Sequence, residues 1–62
     1  MTLPERINRW LMPSEPWPGR ICYLKKTPPE IVKELRELNK TMTKFYKNNE
    51  LYPSDWEFIK FV

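Results

Sequence analysis

The sequence predicts a small, mainly α fold. Three observations carry that expectation. One stretch from Thr27 to Asn49 repeats apolar residues with helical period. The chain contains three openings of helix-start type, Thr2-Leu3-Pro4-Glu5, Thr27-Pro28-Pro29-Glu30 and Ser54-Asp55-Trp56-Glu57. Between the first two lies a proline-rich segment that no helix can cross.

The N-terminal opening places a Thr, a proline in the first turn and a Glu three residues after the Thr, the spacing of a capping box. A short helix is expected through about Leu11, with Leu3, Ile7, Trp10 and Leu11 on one face and Arg6 and Arg9 outside it. Trp10 is therefore expected to be buried. Met12 to Gly19 holds three prolines, Pro13, Pro16 and Pro18. It predicts an extended, polyproline-like connection that wraps the domain. Trp17 sits between two of those prolines and is expected to be the most exposed of the three tryptophans. Arg20 to Lys26 has the alternation of a short strand, with Ile21 and Tyr23 on one side and Cys22 and Leu24 on the other.

The central helix is the best-determined element. Thr27 and Glu30 have capping-box spacing, and Pro28 and Pro29 fall where missing N–H groups do no harm. Asn48-Asn49 supplies the stop. Glu30, Glu34 and Glu37 come early and Lys40, Lys44 and Lys47 late, which complements the helix dipole. At about 100° per residue, Ile31, Leu35, Leu38, Met42, Phe45 and Tyr46 form an apolar stripe. Leu38 is at its middle. Lys33, Arg36, Lys40, Lys44 and Lys47 form a basic stripe on the opposite side, with Glu37 placed to pair with Lys33 and Lys40.

Asn48 to Pro53 is expected to turn the chain back along this helix. The tail, Trp56 to Val62, admits two readings. Ser54 and Glu57 after Pro53 favour a short C-terminal helix, with Trp56 of intermediate exposure. The alternative pairs strands near 20–26 and 56–62 in a small α+β fold.

Sixty-two residues make a single small domain. The chain has one cysteine, Cys22, and no histidine. No internal disulfide can form, and a lone cysteine in a small protein fits a reduced, intracellular (cytoplasmic) setting. The usual zinc ligand sets and the Ser-His-Asp and Cys-His nucleophile pairs cannot be assembled. A single glycine, Gly19, rules out a glycine-rich phosphate loop. No catalytic residue, metal site or cofactor is expected, and the chain reads as a non-enzyme. There is no apolar run of membrane-spanning length and no signal-peptide pattern.

Nine aromatic residues are many for a core of this size, and Trp and Tyr are common interface anchors. The first functional expectation is a protein-binding module or regulator, of the accessory kind found as inhibitors or adaptors in phages and mobile elements. It would use Trp17, Trp56, Tyr23, Phe58 and Phe61. The alternative is a nucleic-acid binder, whose phosphates would face Lys33, Arg36, Lys40, Lys44 and Lys47, with Lys25 and Lys26 nearby. The net charge of +3 is modest for a dedicated nucleic-acid protein. Self-association is compatible with either reading.

Overall fold

The computed structural model describes residues 3–14, 19–47 and 55–62. It is a small α+β domain rather than a mainly α one. In chain order it has α1 (Glu5–Asn8), β1 (Leu11–Ser14), β2 (Gly19–Cys22), a 3-10 turn (Leu24–Lys26), α2 (Pro29–Tyr46) and β3 (Ile59–Phe61). The strands form one mixed sheet in the order β1-β2-β3. β1 and β2 are antiparallel, while β2 and β3 are parallel, with α2 as the crossover between them.

Three sequence expectations are corrected by the sheet. Residues 11–14 were expected as helix end and polyproline-like connection, but they pair with β2. Pro13 is tolerated because β1 is an edge strand. Arg20 and Cys22 use their backbone groups toward β3, since Arg20 N–H donates to Phe58 O and Val62 N–H donates to Cys22 O. By alternation, Gly19 and Ile21 turn toward β1 and meet Ser14 and Met12. The nitrogen of Pro13 therefore faces the open edge, where no ladder bond is required of it.

The second correction is the tail. The expected C-terminal helix is a strand, with Arg20, Ile21 and Cys22 opposite Ile59, Lys60 and Phe61. The pairing extends past β3, because Leu24 N–H donates to Val62 O. Pro53 and Ser54, on which the cap expectation rested, lie outside the described residues. The third concerns the 20–26 strand. It stops at Cys22, and Leu24–Lys26 closes a 3-10 turn. The α+β alternative thus had the right strand pair and missed β1.

α1 ends earlier than expected. Trp10 N–H reaches back only three residues to Ile7 O, and Leu11 has already joined β1. Trp10 is half-buried rather than core, with the Arg9 guanidinium over its ring at 5.7 Å.

α2 opens without the predicted cap. Pro28 is the N-cap residue, and no side chain caps the helix. Thr27 is drawn inward instead. Its hydroxyl donates to Tyr23 O at 2.7 Å and lies 3.5 Å from Cys22 Sγ. With the Thr27 proton committed to the carbonyl, the Cys22 thiol is the donor in that second contact. Cys22 is fully buried. At its other end α2 reaches Tyr46, with Lys47 as a right-handed C-cap. The expected Asn48-Asn49 stop lies outside the described residues.

The core lies between α2 and one face of the sheet, with α1 along the side. It contains Ile7, Leu11, Cys22, Ile31, Leu35, Met42, Trp56, Phe58 and Ile59. Leu35, Ile59 and Cys22 are its most completely buried side chains. The buried stripe of α2 is rotated from the expected one. Ile31, Leu35 and Met42 are buried as read, and so is Asn39. Leu38 and Tyr46 are only partly buried, and Phe45 is 66% exposed. The sheet sits toward the Asn39 side of the helix, which leaves Phe45 on the far edge.

Asn39 is buried because it has work to do for β3. Its Oδ1 accepts from Ile59 N–H at 2.7 Å and from the Thr43 hydroxyl at 3.1 Å. Thr43 Oγ1 in turn accepts from Phe58 N–H at 2.8 Å. A backbone N–H can only donate, so the Asn39 atom facing Ile59 must be its oxygen. Two side chains one helical turn apart thus hold the two backbone donors at the entrance of β3. Ile59 N–H points away from β2 and would otherwise be an unpaired edge donor buried under the helix.

Candidate functional site

The aromatic residues expected to meet a partner do not gather on one surface. Trp56 and Phe58 belong to the core. Trp56 is 6% exposed, against an expected intermediate position. Together with Tyr46 these two make an aromatic cluster. The Tyr46 and Phe58 rings stack at 5.8 Å, and Trp56 meets Tyr46 edge-on at 6.1 Å. Such pairs add to burial as packing contacts. Tyr23 is exposed just beyond β2, with Lys26 Nζ 5.5 Å from its ring. Phe61 is half-buried on the other side of the sheet, under α2. Trp17 lies outside the described residues.

The basic residues do gather. Lys33, Arg36, Lys40, Lys44 and Lys47 are all exposed on the outer side of α2 and its C-cap. At 3.6 residues per turn they occupy an arc of about 80° and a length of about 21 Å. Glu30 and Glu34 take the next sector, toward α1. Glu34 there meets Arg6 at 2.8 Å, the one ion pair among the described residues. Both partners are well exposed, so the pair adds little stability. The expected pairing of Glu37 with Lys33 and Lys40 does not form. The cations thus lie beside β3, with Glu30 and Glu34 toward α1 and Glu37 at the border, where it shares a cleft with Lys33, Arg36 and Lys40 without pairing.

Two adjoining clefts run along that flank, between α2 and the chain entering β3. One, of about 310 Å³, is lined by Lys33, Arg36, Glu37, Lys40, Glu57 and Phe61, with Asn39 in its floor. The second, of about 380 Å³, continues past Lys40, Lys44 and Lys47, again with Glu57 on its wall. Asn39 lies in both floors, so the Asn39–Thr43 anchor also fixes the distance from helix to strand. Arg36 is held in place by Phe61, its guanidinium carbon 4.7 Å from the ring centroid. A guanidinium over a ring face can still donate its N–H groups to an anion. Glu57 faces these lysines from the strand side, although the sequence marked it only as a helix-cap residue. Asn39 and Thr43 were missed as well, although a helical wheel places Asn39 beside Leu35 and Tyr46.

The sheet's other face is open among the described elements. Met12, Ile21 and Lys60 line up across the three strands, and strand alternation puts Tyr23 and Val62 on the same side. Met12, Tyr23 and Val62 are 43%, 41% and 51% exposed.

Among the described residues, no cluster of His, Cys, Asp and Glu could hold a metal ion, and no helix is long and apolar enough to cross a membrane. Comparison with protein-family models, curated proteins and solved structures gives no match.

Proposed function

We propose that this chain is a non-enzymatic binding module that engages an anionic partner through the β3-side flank of α2. The observation that carries this reading is a row of cations without ion-pair partners. Five cations stand exposed beside an open cleft with no carboxylate within ion-pair distance among the described residues. A solvated surface of no consequence is usually a mixture of both signs. Here five cations stand against Glu37 and Glu57 and pair with neither, and the last two turns of the helix carry lysines alone. Unpaired cations on a rigid element attract anions without first breaking internal pairs.

The test removes the same number of positive charges from two different places. Lys40, Lys44 and Lys47 are changed together to Gln, and a second variant changes Arg9, Lys25 and Lys60 to Gln. Both are passed over heparin-agarose, a sulfated polyanion. The α2 variant is expected to elute at clearly lower salt than wild type, and the scattered variant close to wild type. If the two variants elute together, the face is an ordinary solvated one and the reading fails. Circular dichroism keeps the comparison fair, since each lysine near the helix C-terminus is worth about 0.3–1 kcal/mol to the dipole.

A second reading follows from the open sheet face. Met12, Ile21, Tyr23 and Val62 form an apolar surface that suits a protein partner. Three short strands span only about 14 Å across the sheet at 4.8 Å per strand. That area is well below the roughly 800 Å² per partner of a stable interface. The apolar face supports a partner's grip more readily than it makes one alone.

A further inference from the structure

We infer that the anion on α2 is the phosphodiester backbone of a single nucleic-acid strand, lying along the cleft from Lys47 to Lys33 with Arg36 as its anchor. This rests on the functional reading above and names the partner's chemistry. Three features of the face select it.

The first is the row itself. One phosphate or one carboxylate needs two or three donors. Five cations spread over about 21 Å suit an anion that repeats along a line.

The second is sidedness. A duplex that took α2 into its major groove would bring phosphates against both flanks of the helix. The α1-side flank carries Glu30 and Glu34, which would repel them, and Glu37 stands at the border between the two flanks. The β3-side flank sets five cations against Glu37 and Glu57, a net positive row on one side only, so the arrangement suits one strand.

The third is the anchor. Lys33 and Lys40 lie three residues before and four after Arg36, about one helical turn each way. They bracket a guanidinium that lies over Phe61 and makes no ion pair, so its donors are available for bidentate contact to a phosphate. An acidic peptide would need an apolar pocket for its anchor side chain. The ring in this cleft is already covered by Arg36.

Glu57 gives the inference its sharpest test, because it faces the same cleft with the wrong charge. The experiment measures fluorescence anisotropy of a labelled single-stranded dT12 against the full chain, with its duplex and a labelled oligoglutamate as comparisons. Single-stranded DNA is expected to bind more tightly than the duplex. Its log K should fall with log salt at a slope that loses about two units when Lys40, Lys44 and Lys47 become Gln, at about 0.7 per phosphate contact. Glu57→Gln should tighten binding several-fold. Glu5→Gln, which changes net charge equally on exposed α1, should leave it within about two-fold, because exposed charges more than a Debye length apart are screened. Arg36→Gln should weaken binding about ten-fold, with Arg36→Lys in between, because Lys keeps the charge and loses the fork.

Equal effects of Glu57→Gln and Glu5→Gln would overturn the placement. Duplex binding as tight as single-strand binding would overturn the single-strand assignment. If oligoglutamate binds and dT12 does not, the partner is an acidic protein, and this inference falls while the functional reading stands. If neither binds, both fall.

Discussion

Leu35→Asp leaves no folded protein. Leu35 is completely buried at the middle of α2, between Ile31 and Met42. A carboxylate there has no cation within the core to meet it, and burying it unpaired costs several kcal/mol. A chain of this length has about 3–9 kcal/mol of stability in total. The far-ultraviolet circular dichroism of the variant should be that of an unfolded chain at 25 °C, with no cooperative melt. Leu38→Asp is the matched comparison. The sequence placed Leu38 at the centre of the apolar stripe, but the helix is rotated and Leu38 is only partly buried. Its carboxylate can reach water, so this variant should fold and melt at a lower temperature than wild type. A normal melt for Leu35→Asp would mean that the core lies elsewhere.

The second large effect is expected from one amide. Asn39→Leu fits the apolar surroundings of α2 but removes the acceptor of Ile59 N–H. An orphaned buried donor costs about 1–3 kcal/mol. The loss spreads, because Thr43 also donates to Asn39 Oδ1 and holds Phe58 N–H. Thr43→Val removes the more accessible member of the pair, where water can substitute, and should cost about 1 kcal/mol. The double variant should lose less than the sum of the two, since the bond between Asn39 and Thr43 disappears in either single change. Urea melts give the energies, and hydrogen exchange locates them. The Ile59 amide is expected to lose most of its protection in Asn39→Leu. Additive energies with Ile59 still protected would show that the two side chains do not act as one anchor.

How much of this was legible in the residues differs by element. α2 was, because eighteen residues carry a helical period that nothing else can imitate. The basic face came with it, since the same period that gathers Ile31, Leu35 and Met42 gathers Lys33, Lys40 and Lys44 opposite. The sheet was not. Its strands are three or four residues long, too short for alternation to outvote a proline or a cap signal. Pro13 argued against a strand that it occupies harmlessly at an edge. Ser54 and Glu57 argued for a helix where Ile59 and Phe61 instead pair with β2. The cleft depends on both outcomes at once. Its helix wall could be read from the sequence, whereas Glu57, Phe61 and the Asn39 anchor become neighbours of that wall only through the β2–β3 pairing.

That pairing also sets a clock. Arg20 and Ile59 sit opposite each other but 39 residues apart in the chain, whereas β1 meets β2 across a short connection and α2 is local. Long-range closure loses the most chain entropy before contacts return any of it. β3 is therefore expected to dock last and to leave first. Interactions made after the folding transition state act on the unfolding rate and leave the folding rate nearly unchanged. In stopped-flow measurements, Asn39→Leu should accelerate unfolding by about the whole of its equilibrium effect. The tether between helix and strand thus governs how long the native molecule lasts, and hardly at all how quickly it forms.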